Sequence, residues 1–427
     1  MPSGILLLAG MLAFVGGTVS AVEEKSEEFP DHEHGHGGIV HHLDHSDRLL
    51  DACGNIWPML QRNGVELELN YLSQGLRSLK GGNDASQRGS ALLGMLDFNA
   101  EINSKGLGWW DGGTLNLHIL QVDGRPFSQP YAGVYQPSSW IEAERFAQIY
   151  ELWFRQELAG NRGWVKLGKF EPYSDVASSE TASSFTGAFF TSLGNCPLPT
   201  YPHTGMGALV GARVTDGLSL QGLVMNNSVD DHSFAGLGRE TWLDDDGLTW
   251  LAETRWKGEL VPGHETALRL GGWYSSGNYD WEYGDLPRRH TGNYGTYAVV
   301  DQVLYSNHDK KPPRRINLFT VFSVVREDRN ETPWFWSGGL VSHGFVPGRP
   351  RDSFGIGFSN NYFCGEIQHD NGYRRVEAVT EIFYQVELFR WMTCKPFLQY
   401  VHQPADATAN GNANHAVLGG IQMEMRF

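Results

Sequence analysis

From Val65 to the end of the chain, apolar and polar residues alternate in short runs. Val65, Leu67, Leu69 and Tyr71 take turns with Glu66, Glu68 and Asn70. Leu92, Leu96, Phe98 and Ile102 do the same with Asp97, Asn99 and Glu101, as do Leu115, Leu117 and Ile119 with Asn116 and His118. Tyr150, Leu152 and Phe154 alternate with Glu151, Trp153 and Arg155, and Leu268, Leu270 and Tyr274 with Arg269 and Trp273. Ile382, Tyr384, Val386 and Leu388 alternate with Glu381, Phe383, Gln385 and Glu387; Val417, Ile421, Met423, Met425 and Phe427 alternate with Gln422, Glu424 and Arg426. A period of two describes a strand with one apolar and one polar face. Its recurrence predicts an all-β fold, punctuated by polar, Gly-rich loops such as 81–89, 230–247 and 405–414.

Alternation alone fits two inverted architectures. A soluble sandwich turns its apolar faces inward, whereas a membrane barrel turns them to lipid and lines its lumen with the polar faces. Three features favour the barrel. Charges, including like charges, sit in the centres of the polar faces, which suits a watery lumen. Aromatics cluster near strand ends, in Trp109-Trp110 and Trp334-Phe335-Trp336, as interfacial girdles require. The final strand is amphipathic and ends on Phe427, a terminal aromatic of the kind by which the barrel-assembly machinery recognises its substrates. Roughly 360 residues follow Gly64. At ~22 residues per strand with its connection, they make about 16 antiparallel strands over 65–427, enough for an aqueous channel.

The chain ahead of the barrel divides in three. Ile5 to Val15 is apolar and leads to Val19-Ser20-Ala21, so residues 1–21 read as a signal peptide cleaved after Ala21, although the first residues lack Lys and Arg. No stretch beyond Ala21 reaches the ~18 apolar residues of a spanning helix. Residues 22–46 form an acidic, His-rich arm. His32-Glu33-His34-Gly35-His36 matches the zinc-protease pattern in letters, but that motif needs a helix to put both histidines on one face. Glycines and Pro30 deny it one, which leaves loose metal capture or a solvated tail. In 47–64, Leu49, Leu50, Cys53, Ile56, Trp57 and Leu60 recur at helical spacing, and Asn63-Gly64 ends the run. This predicts a short periplasmic helix.

Composition narrows the function. With 33 basic and 49 acidic residues the net charge is −16, which repels a phosphate backbone and argues against nucleic acid. No Ser/His/Asp or metal constellation has a spacing that converges on chemistry, so neither an enzyme nor a cofactor is expected. Cys53, Cys196, Cys364 and Cys394 are far apart. An oxidising compartment permits disulfides, but pairing cannot be read from one sequence, and free buried thiols fit equally.

Several stretches, in order, resemble the carbohydrate-selective porins of the OprB family. They run from Asn55-Ile56-Trp57 through Asn63-Gly64-Val65, then Tyr150-Glu151-Leu152-Trp153 with Val165-Lys166-Leu167-Gly168-Lys169-Phe170. Tyr201-Pro202 with Ala208-Leu209-Val210-Gly211 follows, and then Gly348-Arg349-Pro350-Arg351-Asp352-Ser353-Phe354-Gly355-Ile356-Gly357-Phe358. Glu381 to Val386, Gln399-Tyr400 and the final strand complete the pattern. The resemblance implies a 16-stranded outer-membrane barrel for passive uptake of small sugars. The His-rich arm and the cysteines depart from it. Many porins are trimers, yet nothing in the sequence marks a subunit interface.

Sugar recognition needs groups that hydrogen-bond hydroxyls and an aromatic face for C–H patches, held weakly enough for release. Glu151, Trp153 and Arg155 offer this on consecutive inward positions. Arg269 with Trp273 comes second, and Glu381, Phe383, Gln385 and Glu387 third; Glu253 and Arg255 complete the candidates. The plainer reading of each is a solvated lumen residue or a wall-stiffening ion pair. A general diffusion porin is the competing function, followed by an outer-membrane enzyme or a secreted lectin-like protein.

Overall fold

The computed structural model describes residues 48–49 and 56–427, except 84–88, 192, 228–246, 286, 308, 310–311 and 412. The expected signal peptide, the His-rich arm and Cys53 lie outside the described residues. Of the expected 47–64 helix, the structure describes α1, Ile56–Arg62. Gly64 ends it with φ 75°, and a Cβ there would meet the Gly106 backbone at 2.6 Å. Both the turn into the first strand and this close approach therefore require glycine.

Sixteen strands follow. They are β1 (Val65–Gly81), β2 (Ser90–Asn103), β3 (Gly113–Asp123), β4 (Phe146–Leu158), β5 (Gly163–Phe170), β6 (Gly205–Arg213), β7 (Leu218–Asn226) and β8 (Leu248–Val261). The second half comprises β9 (His264–Trp281), β10 (Arg288–Asn307), β11 (Arg314–Val325), β12 (Trp334–His343), β13 (Ser353–Tyr362), β14 (Val376–Phe389), β15 (Met392–His402) and β16 (His415–Arg426). Each pairs antiparallel with its sequence neighbours, and β1 with β16 closes the barrel from Asn70↔Arg426 to Gly81↔Ala416. Closure removes every free edge, the condition for strands to cross a lipid core. No helix among the described residues is long and apolar enough to cross a membrane.

The alternation sorts as the sequence predicts. On β13, Phe354, Ile356 and Phe358 face outward and are exposed, while Gly355, Gly357 and Ser359 face inward and are buried. On β15, Leu398 and Tyr400 face outward and Gln399 and Val401 inward. The connections fix the orientation. Those at 159–162, 214–217, 262–263 and 390–391 are short; those at 124–145 and 171–204 on the opposite end are long. Short turns belong to the periplasm and long loops to the exterior. Trp109 and Trp110 stack at a periplasmic turn, centroids 5.9 Å apart, and Trp334 and Trp336 are exposed at the outer end of β12. These are the two aromatic girdles.

The lumen departs from the watery tube that alternation suggests. The loops 124–145 and 171–204 fold into the barrel and pack there. Phe185 and Phe190 lie with centroids 4.5 Å apart and meet Phe319 of β11; Phe185 also packs edge-on against Phe383 of β14 at 5.1 Å. Gly357 makes room for them, because a Cβ there would fall 2.5 Å from the Phe185 ring and 2.8 Å from Phe190. Gly357 thus serves the packing of a loop distant in sequence, while Gly355 makes room for Phe383 of the neighbouring strand.

Candidate functional site

Wall carboxylates hold the second in-folded loop by its backbone. Glu381 accepts from the N–H groups of Thr186 (2.8 Å) and Gly187 (3.1 Å) and from the Gln399 amide (2.9 Å). Glu253 accepts from Ala177 N–H (2.8 Å), the Tyr297 hydroxyl (2.7 Å), Gln221 (3.0 Å) and Arg255 (2.6 Å). Asp301 receives the Ser179 hydroxyl (2.6 Å) and Thr181 N–H (3.1 Å), and Lys395 donates to Ser184 O (2.8 Å). A carboxylate out of water is tolerable only with such donors. The first loop is held by Glu377 of β14, which takes Tyr135 N–H and, from the β15–β16 connection, Ala405 N–H, and from within by Glu142, which takes Phe127 N–H and Ser128 N–H.

A cavity of about 380 Å³ opens on the periplasmic side of these loops. Glu68 and Asn70 of β1, Asp97, Asn99 and Glu101 of β2, Asn116 and His118 of β3, Glu151, Trp153 and Arg155 of β4, Lys166 of β5 and Asp175 line it. Within it, Glu151 accepts from the Trp153 indole (3.1 Å) and from Glu171 N–H (2.8 Å). His118 lies 3.0 Å from Asp97 Oδ1 and 3.9 Å from Glu151 Oε2. Lys166 sits 4.3 Å over the Trp153 ring and donates to Asp175 at 2.7 Å. Arg155 donates to Glu157 at 2.8 Å, 5.3 Å over the Trp164 ring. Fixed donors, fixed acceptors and one indole therefore converge on a space large enough for a small ligand.

A bulge shapes this wall. The β3–β4 register slips between His118 and Ile119, so that His118 opposes Glu151 while Ile119 opposes Ile149. Tyr150 is the extra residue. It is buried, with its ring 5.3 Å from His118 and 6.2 Å from Tyr201 of the in-folded loop. Its expected place on the apolar outer face is corrected: an extra residue in one strand breaks the period.

Of the predicted residues, Glu151, Trp153 and Arg155 meet in this cavity. The others do not line it. Phe383 is buried against Phe185, and Trp273 is buried beside Gly295. Glu381 and Glu253 are buried loop anchors, with Arg255 bonded to Glu253 and Arg269 3.9 Å from it. Gln385 is partly buried on β14, and Glu387 pairs with Arg351 at 2.7 Å near the periplasmic rim. His118, Lys166 and Asp97 were missed as candidates. Alternation put Asp97 and His118 on polar faces, but nothing local ranked them above other polar positions. Cys196, Cys364 and Cys394 are free thiols.

A second cavity, of about 440 Å³, lies at the outer end. Tyr135 and residues 194–197 of the in-folded loops, 279–283 at the end of β9 and 329–332 before β12 line it. Tyr135 and Tyr283 both donate their hydroxyls to Glu331, at 2.7 and 2.5 Å.

The family model for the carbohydrate-selective porins, OprB family, matches residues 87–427. Porin B of Pseudomonas aeruginosa is 22% identical over 424 residues, spanning 89% of this chain and 91% of that protein. The structure of Pseudomonas putida OprB at high pH superposes with TM-score 0.77 at 19% identity, covering 90% of this chain and 99% of that one. Its low-pH structure gives 0.60 at 16% identity, with the same coverage.

Proposed function

This chain belongs to the carbohydrate-selective porins of the OprB family, and from that premise we propose that Glu151, Trp153 and Arg155 are its sugar-contacting station. The protein is a channel of the bacterial outer membrane, a 16-stranded barrel through which small carbohydrates diffuse. It needs no bond chemistry. A sugar must exchange part of its hydration for wall contacts and then leave.

The observation that supports the station is the convergence in the periplasmic-side cavity of one indole with carboxylate, guanidinium, ammonium and amide groups. Trp153 supplies a face for a C–H patch. Glu151, held by the Trp153 indole and the Glu171 N–H, offers acceptor positions to hydroxyls, while Arg155 and Lys166 offer donors. Because these groups are already held by neighbours, little ordering is lost on contact. Asn99 and Asn116, joined at 2.6 Å, add an amide pair to the same wall.

Glucose-evoked noise in the ion current through single reconstituted channels tests this. Trp153→Ala and Arg155→Ala should each weaken glucose binding roughly tenfold, about 1.4 kcal/mol, without altering the closed barrel. Unchanged glucose noise in both variants would remove this station. β16, which runs into Phe427, whose N–H donates to Leu69 O at 2.8 Å, is the strand we expect the barrel-assembly machinery to engage.

A further inference from the structure

The outer cavity repeats the chemistry of the inner one with different residues on different strands. Tyr135 and Tyr283 provide its aromatic walls, and both are braced. Tyr135 packs edge-on to Phe363 at 5.0 Å, and Tyr283 edge-on to Trp281 at 5.0 Å. Behind them Trp281, Phe363, Cys364, Ile367 and Ala405 form a small apolar core of their own. The rings are thus fixed platforms rather than mobile loop side chains.

The polar groups are equally fixed. Glu331 takes one hydroxyl on each carboxylate oxygen, and an ionised carboxylate has about four acceptor positions, so it retains capacity for a ligand. Arg329 spends N–H donors on Asp328 at 2.9 and 3.0 Å and on Gly292 O. Those bonds orient a planar group that carries five donors. Hydrogen bonds from Arg326 and Arg329 hold the Asp328 carboxyl well below the usual carboxylate range, so this brace persists in an acidic medium. Asn195 and Asn330 add amides to the lining. At about 440 Å³ the cavity falls in the size range of small-ligand sites.

We propose that this outer cavity, bounded by Tyr135, Tyr283, Arg329 and Glu331, is a second saccharide-docking site that captures sugar from the medium before it reaches the inner station. A neutral hexose fits this chemistry. Its hydroxyls meet a carboxylate and a guanidinium, and its C–H face meets a tyrosine ring. Two weak sites in series raise the local sugar concentration at the constriction without a single tight site that would hold the solute back. The inference rests on the sugar-porin reading given above.

The test uses the full-length protein in planar bilayers with glucose added to one side at a time. Tyr283→Ala and Glu331→Gln should slow glucose entry from the loop side about tenfold, with entry from the turn side changed less than twofold. Tyr135→Phe, which removes one hydroxyl and keeps the packing, should give a smaller loss of the same sidedness. Entry rates equal to wild type from both sides in folded, conducting variants would overturn the outer site. A loss equal on both sides would overturn it too, since that marks a general disturbance of the pore. If the wild-type channel shows no glucose noise from either side while conducting ions, the sugar-porin reading itself fails.

Discussion

Removing the Glu381 carboxylate strands two backbone donors at once, the N–H groups of Thr186 and Gly187, while the Gln399 amide keeps Ser138 O as an acceptor at 2.8 Å. Each buried unsatisfied donor costs about 1–3 kcal/mol, more than the loop gains from any one aromatic contact. Glu381→Ala should therefore lower the thermal midpoint and make the open-channel current fluctuate as the loop loosens. Heat-denaturation scans and single-channel recording check both. A quiet current with reduced glucose binding would instead mark Glu381 as a sugar contact. The same residue shows what a sequence can and cannot convey. Alternation put Glu381 on the inner face, which is where it lies. Whether an inner carboxylate meets sugar or loop backbone depends on residues nearly two hundred positions away. Tyr150 illustrates the other failure, for a bulge leaves no trace in a hydrophobicity period.

At the scale of the strand, outward positions carry the membrane contact. Leu398 of β15 is exposed and opposes Ile382 on β14 and Gly419 on β16. Leu398→Arg should cost about 2–4 kcal/mol of folding free energy in lipid vesicles, as a charge near the bilayer midplane does. Urea titration of the vesicle-embedded protein reads it, and a cost under ~0.5 kcal/mol would contradict the outward assignment. An inward position behaves differently. Gly357→Val drives a side chain into Phe185 and Phe190, and overpacking of this kind costs about 1–3 kcal/mol. Here the expected signature is a shift of the in-folded loop, read as altered conductance. The strands were legible because each repeats one pattern and their number follows from chain length. The in-folded loops were not, since Phe185, Phe189 and Phe190 sit in segments with no period and find their partners only when the barrel closes.

The barrel is a closed wall with a packed waist and a cavity on either side of it. The wall accounts for residence in the outer membrane. The waist narrows a barrel of sixteen strands that would otherwise leave a wide aqueous channel. Buried carboxylates hold the waist in place, so part of the charge at strand centres grips loops, as Glu253, Asp301 and Glu381 do, rather than facing solute. That Glu151, Trp153 and Arg155 line one cavity was legible in the sequence, because the three side chains fall on consecutive inward positions of one strand. The outer cavity was not, because Tyr135, Tyr283 and Glu331 come from three separate connections. Swelling of liposomes carrying the purified protein separates a sugar-selective channel from a general pore. Sugars and uncharged non-sugar solutes of matched size are compared in the same vesicles. Faster swelling with the sugars is the predicted result; equal rates for the two solute classes would contradict it and leave a general diffusion pore.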